Sequence, residues 1–423
     1  MKKIVFLCSL VFLPALLFAQ EEAWRLDNLL KLALERNPKI RAAGLEAEAS
    51  SFRVPQAKSL PDPMVGFSLK NMGIPEFTLG KEVMSGLGLS FSQAIPFPGK
   101  LRLQGEIAQK AFEREKEVRN SVVLGVLREV KTAYFELFGL QRSIAILHEQ
   151  KAVLQKALEL TETKYSVGSG AQSDVLKAKV EVSRMDEMIT PMAGMIESLR
   201  ARINLLLDFP PDRPSGTPED QGVESLALSL EAIKSAAAEK SPMVKEARLM
   251  VEEDETMVSL ARKELRPNFV VEGGWEFKGR LPGMYEVMVG FEIPLYARTK
   301  QAKMVEESLA RLQSSKSAVT SVKNDLTAMV TEEYLKARSA ESLIKLYKEK
   351  IIPQASLTVE SSLASYQVNK TDFLALLADI NTYFSTQIAY YRELVGLWSS
   401  IARLEEYAAQ EIVSWGGKNE GKD

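Results

Sequence analysis

The stretch G-L-G-L-S-F-S-Q-A-I (86–95), running straight into P-F-P-G-K (96–100), decides the fold. Leu87, Leu89, Phe91 and Ile95 fall on one face of an extended chain, and Gly88, Ser90, Ser92 and Ala94 on the other. Side chains alternate across a strand, so this is a strand pattern. From Leu101 onward the apolar spacing turns to steps of three and four, as in Val123, Val126, Val130, Ala133, Leu137 and Leu140. That is a packed helical seam. A chain of very long helices interrupts itself for one short strand, and the reason lies in what surrounds it.

Working outward, the same plan appears twice. Placing Pro38 on Pro242 overlays L-D-N-L-L-K-L-A-L-E-R-N-P (26–38) on L-E-A-I-K-S-A-A-A-E-K-S-P (230–242). Lys58 then meets Arg262, Pro63 meets Pro267, and Ile95-Pro96 meets Ile293-Pro294. Further on, Tyr165-Ser-Val-Gly168 meets Tyr366-Gln-Val-Asn369, and Asp174-Val-Leu meets Asp372-Phe-Leu. Such self-similarity marks a duplicated unit.

The predicted first repeat is 20–208, with strands 63–71 and 86–95 and long helices 100–166 and 172–207. A linker follows at 209–228. The second repeat is 229–409, with strands 268–278 and 285–294 and long helices 298–366 and 372–409. Short helices 26–37 and 38–58, or 229–241 and 242–264, open each repeat. A helix over 100–166 spans roughly 100 Å, more than one globular core needs. The return helix is about half as long, so helix 38–58 is expected to stack on its end beside the long helix. Pro353 is expected to bend or break the second long helix, and Pro191 the first return helix, because proline removes a donor and crowds the preceding turn.

Lys2 and Lys3 precede the apolar run Ile4–Ala19, with Glu21 and Glu22 beyond it. This reads as a secretory signal peptide over 1–19, cleaved after Ala19. The single cysteine, Cys8, lies within it, so neither a disulfide nor a thiolate site is expected in the mature chain. A formal net charge of −2 carries no electrostatic footprint for nucleic acid. No later stretch is long and apolar enough for a transmembrane helix, so any membrane crossing must use strands.

The strands suit that task. Tyr285, Val287, Val289, Phe291 and Ile293 share one face, with Glu286, Gly290 and Glu292 opposite. Phe269, Val271, Trp275 and Phe277 alternate with Asn268, Glu272, Glu276 and Lys278. Each segment is about 10 residues, enough for a tilted strand to cross a bilayer. Apolar outside and polar inside is the pattern of a barrel with a wet lumen, with Phe91, Trp275 and Tyr285 near its aromatic girdles. A small soluble sheet would alternate in the same way, but the signal peptide, the matched hairpins and the very long helices favour the membrane. Four strands cannot close a barrel, so several copies must contribute. Pro96, Pro98 and Gly99 then form the turn where the chain leaves the membrane, with Lys100 and Arg102 expected among lipid head groups.

At this point the sequence resembles the TolC-type outer membrane efflux channels over essentially the whole mature chain. The duplicated hairpins and helix pairs carry part of the resemblance, and Y-S-V-G-S-G-A-Q-S-D-V-L (165–176) is similar to the family's helix-tip motif. L-P-D-P-M (60–64), P-F-P-G-K-L-R-L (96–103) and Y-Q-V-N-K-T-D-F-L-A-L-L (366–377) look most like the heavy-metal efflux branch. The resemblance implies a mainly α protein with a small membrane β part, a homotrimer whose twelve-strand barrel continues into a periplasmic α-helical tunnel. It also implies an outer membrane location with a periplasmic extension, a periplasmic adaptor and an inner-membrane pump of the RND type. A passive exit duct in such a system needs no cofactor.

By position the periplasmic gate would comprise Tyr165, Gly168 and Asp174 at the first tip and Tyr366, Asn369, Lys370 and Asp372 at the second. A ring of carboxylates in a narrow pore concentrates cations. Helix capping is the other reading of Asp174 and Asp372, since each opens a return helix. Ala375 stands where the family often has a second acidic residue, and Asn369 where it often has glycine. Met185, Met188, Met192 and Met195 form a helical stripe that suits seam packing better than thioether ligation. His148, the single histidine, has no clustered ligands. No phosphate-binding loop or catalytic triad is present. Protein, peptide or drug export fits the same architecture, and a soluble periplasmic coiled-coil adaptor is the alternative outside it.

Overall fold

Asn37 shows how local sequence sets the long-range plan. Helix α1 (Leu26–Arg36) ends at this residue because Pro38 follows, and α2 (Pro38–Lys58) begins there. Its side-chain oxygen accepts from the N–H groups of Lys39 and Ile40, while its Nδ2 donates to the Leu206 carbonyl at 2.8 Å. One side chain thus caps α2 and joins it to the far end of the return helix. The computed structural model describes residues 24–214, 216–223 and 225–415. The signal segment and the end of the polar tail lie outside these residues.

After α2 come strands β1 (Met64–Lys70) and β2 (Gly86–Ile95), then helix α3 (Lys100–Ser166) and its return α4 (Gln172–Leu206). The second repeat gives α5 (Leu230–Lys240), α6 (Pro242–Lys263), β3 (Asn268–Lys278) and β4 (Leu281–Glu292). Helices α7 (Gln301–Leu346), α8 (Ile352–Gln367) and α9 (Phe373–Ala408) complete it. Helix α3 packs against α2 and α6 on the sheet side and against α4 and α9 beyond. Through the Asn37 joint, α2 and α4 form one stacked column beside the 67-residue α3.

The two prolines behave differently. A π-helical turn, Tyr347–Ile351, lies between α7 and α8 immediately before Pro353. The wider turn absorbs the missing donor and the bulk of the ring. Pro191, in contrast, sits inside α4, which runs unbroken from Gln172 to Leu206, so of the expected bend or break the break does not occur. Pro191 and Glu187, one turn earlier, are exposed, as are Pro353 and Glu349, so exposure does not separate the two prolines.

Two cores hold the rod. The equatorial core surrounds Trp398, whose ring centroid lies 5.3 Å from that of Phe135 and 5.2 Å from that of Phe138. Tyr134 is buried beside them, donates to the Trp24 carbonyl at 2.7 Å and accepts from the Glu219 N–H at 2.7 Å. Burial pushes its phenol up to about 12. The second core, nearer the helix tips, includes Leu147, Leu154, Phe373, Leu376 and Ile380. Residues up to Trp415 also pack, since its ring lies 4.9 Å from Phe135.

Glu246 and Glu253, on α6 facing Arg114, and Glu406 on α9 are each pushed up by burial, against the attraction of a nearby arginine. A carboxyl whose folded pKa is raised stabilises the fold below its unfolded pKa, and that contribution fades as pH rises through the raised value. Glu253→Gln is therefore expected to raise the thermal midpoint at pH 8 and leave it unchanged near pH 4. Melting the variant and the wild type at both values checks the sign.

Candidate functional site

The four strands form one antiparallel sheet in the order β1-β2-β3-β4. Its register puts Phe67 opposite Leu89, Leu89 opposite Trp275, and Trp275 opposite Tyr285. Every large apolar side chain of the quoted strand therefore joins one continuous face with its neighbours. That face is bare: Phe67 is 85% exposed, Val287 72% and Phe291 60%. No described element of this chain covers it, unlike a sheet packed on a core of its own, and such a patch marks a membrane or partner surface.

The opposite face carries Gly66, Ser68, Gly88, Ser90, Glu272, Glu276, Glu286 and Glu292. It is crowded near β1 and β2, where a Cβ on Gly88 would lie 2.4 Å from the Ser68 hydroxyl and one on Gly86 2.2 Å from the Glu276 carboxylate. Small residues here let the sheet curve toward its polar side. Lys70 reaches Glu276 at 3.5 Å, leaving that side acidic.

The membrane-boundary turn is built differently from expectation at one residue. Gly99 takes φ +89°, and a Cβ there would meet the Lys263 ammonium at 2.5 Å, so glycine is required. Lys100 does not reach solvent or head groups. Its ammonium is buried, donating to Glu264 at 2.7 Å, to Asn268 Oδ1 at 2.8 Å and to the Arg266 carbonyl. The exit turn of the first repeat is thereby tied to the entry into β3. Pro96 and Pro98 flank Phe97, whose N–H donates to the same Asn268 oxygen. Arg102 is exposed and pairs with Glu106.

At the far end the helices turn at Gly168, φ +73°, and Asn369, φ +60°. Asn369 supplies the left-handed residue that glycine supplies in the first repeat. Tyr366 is buried against Phe373, with ring centroids 5.8 Å apart, whereas Tyr165 is 48% exposed. Burial pushes the Tyr366 phenol up, and the Asp174 carboxylate adds to the shift. Asp372 caps α9, accepting from the Ala375 N–H at 2.7 Å. Asp174 makes no such bond; it lies within the first turn of α4, after an uncapped Ala171. The capping reading therefore holds for Asp372 and is corrected for Asp174. Lys370 is exposed.

One tip residue escaped sequence reasoning. Lys164, buried at the end of α3, donates to the Tyr366 carbonyl and, at 2.5 Å, to Asn369 Oδ1. Its ammonium sits 4.2 Å from the Tyr366 ring centroid, a cation–π contact. It ties one tip to the other. The available signal was the duplication itself, which places a lysine opposite Ser365.

The methionine stripe divides: Met185 is buried and Met192 packs on the second core, while Met188 and Met195 are exposed. His148 is exposed. Among the described residues no group of histidine, cysteine or carboxylate side chains is arranged to hold a metal, and no helix is long and apolar enough to cross a membrane.

Residues 29–189 match the family model "Outer membrane efflux protein". The structure of the outer membrane protein VceC from Vibrio cholerae superposes with a TM-score of 0.77, 16% identity, and coverage of 92% of this chain and 97% of that one. The fold is that of a TolC-type outer membrane channel. The CusC structure, whose description concerns transmembrane channel formation, gives a TM-score of 0.75 at 16% identity, covering 91% and 90%. In sequence, outer membrane protein TolC of Vibrio cholerae is 21% identical, over 95% of this chain and 97% of its own length. These matches support an outer membrane efflux channel in a Gram-negative-type envelope, a transport duct rather than an enzyme.

Proposed function

We propose that the chain is the passive exit duct of a tripartite efflux system. In this reading three copies close the barrel and extend it as a helical tunnel, an adaptor docks at the tips, and an inner-membrane RND-type pump supplies the energy. The observation that carries it is the sheet, with one bare apolar face, one acidic polar face and two edges, β1 and β4, that have no partner among the described residues. Open edges are not tolerated in lipid, so further copies must pair with them.

The cargo we favour is metal cations. Glu272, Glu276, Glu286 and Glu292 outnumber Lys70 and Lys278 among the charged strand residues, and a lumen with such a negative field favours cations. Protein or drug export uses the same pipe. Growth of a deletion strain on copper, silver, zinc, cobalt, dyes and antibiotics separates the cargo classes. Selective metal sensitivity restored by the wild-type chain supports the reading, and sensitivity to organic compounds alone overturns the metal assignment.

At the tips, Tyr165, Gly168, Asp174, Tyr366, Asn369, Lys370 and Asp372 are proposed to line the gate, with Lys164 as its tether. Lys164→Met keeps the stem and removes every charged contact. It is expected to raise single-channel conductance severalfold in planar bilayers without lowering the amount of assembled protein. Unchanged conductance would remove Lys164 from the gate.

A further inference from the structure

We infer that Arg298 of one copy locks onto Asp62 of the next, and that β4 pairs with β1 of that copy with Ile293 opposite Val65. This rests on the reading that copies share one barrel, and it goes further by fixing which residues meet.

The internal junction is the template for the external one. Within the chain, β2 ends against the start of β3 with Ile95 opposite Phe269. Just beyond, Lys100 on the exit turn is buried among Glu264, Asn268 and the Arg266 carbonyl. The duplication carries Ile95-Pro96 onto Ile293-Pro294 and Pro267 onto Pro63. Applied to the junction, it carries Lys100 onto Arg298 and Arg266 onto Asp62. The free edge of β4 and the free edge of β1 are thus the second instance of a contact already seen once.

Two independent observations agree with this placement. The register Ile293 to Val65 also sets Phe291 opposite Phe67 and Val289 opposite Leu69. All six lie on the bare apolar face, at 64% and 57%, 60% and 85%, and 58% and 73% exposure. A shift of one residue would put each apolar side chain across from a polar-face residue. The charges also complement. Arg298 and Asp62 are both exposed, and neither has an ion-pair partner among the described residues. Where the internal junction has a lysine and a glutamate, the external one has an arginine and an aspartate. The longer guanidinium suits a carboxylate two positions further along, and it can bind one with two parallel hydrogen bonds.

The test uses the full chain in the outer membrane. Cys8, its single cysteine, lies in the leader read as cleaved, so introduced thiols stand alone. In the double variant Val65→Cys, Ile293→Cys, mild oxidation is expected to convert most chains to a covalent ladder ending at the closed ring. The pair Val65→Cys, Val289→Cys, roughly 13 Å off register, is expected to give none. Separately, Arg298→Asp should lower the temperature at which the detergent-resistant oligomer dissociates by roughly 2–4 °C, and adding Asp62→Arg should restore it. An assembled membrane oligomer that crosslinks instead through the offset pair, or whose charge reversal is not rescued, would overturn the inference while leaving the channel intact. A soluble monomer with no ladder would overturn both.

Discussion

Val287→Arg is expected to abolish assembly of the chain in the outer membrane, whereas Glu286→Arg, one residue away, leaves it inserted. Val287 is 72% exposed in the apolar row of β4 that runs through Tyr285, Val289 and Phe291. An arginine on the lipid face near the bilayer midplane costs about 2–4 kcal/mol in a membrane barrel. In the proposed ring each copy would bear that cost. Glu286 points to the polar face, beside Gly274 on β3, where water solvates a new charge. The outcome is read as heat-modifiable oligomer in the outer membrane fraction. Equal insertion of both variants would mean that the bare face does not meet lipid.

Glu405→Ala is expected to destabilise the helical part by about 3–5 kcal/mol, the usual cost of removing one partner from a buried ion pair. Its carboxylate accepts from Lys131 at 2.6 Å and from Trp415 Nε1 at 2.9 Å. It also accepts from the Ile412 N–H at 2.9 Å and the Val413 N–H. Alanine strands the Lys131 ammonium, whose side chain is 10% exposed, and releases the segment after α9. Glu405→Gln keeps acceptors for the N–H groups and loses the charge, so its effect should be smaller. Denaturant unfolding of the detergent-solubilised protein, followed by tryptophan fluorescence, checks both the size and the order. A Glu405→Ala midpoint equal to wild type would show that water reaches Lys131.

What the sequence revealed, and what it hid, divides by range. The strands were legible because Leu87, Leu89 and Phe91 alternate with small residues over a whole bilayer's width, a local signal. The duplication was legible from Pro38 with Pro242 and Tyr165 with Tyr366, and the helix lengths implied the stacked column that Asn37 joins. Lys100 was misread because its partners Glu264 and Asn268 lie more than 160 residues away. Beside a membrane turn, a lysine suggests head groups until its acceptor is seen. Lys164 and Glu405 escaped for the same reason: each is defined by contacts between elements that periodicity does not connect. Pro353 and Pro191 carry the same covalent constraint, and both are exposed, as are Glu349 and Glu187 one turn earlier; a π-helical turn forms before Pro353 alone of the two, a difference that local sequence does not explain. Asp372 and Asp174 occupy matching positions in the repeats, yet the cap forms at Asp372, because α4 starts before Asp174 and α9 after Asp372.

Single-channel recording of the purified chain in planar lipid bilayers tests the central claim most directly, with Lys164→Met alongside the wild type. The account predicts discrete conductance steps, larger in the variant and biased toward cations by the acidic polar face. A detergent-purified preparation of either form that gives no steps, or wild-type chain recovered as soluble periplasmic protein, would contradict it.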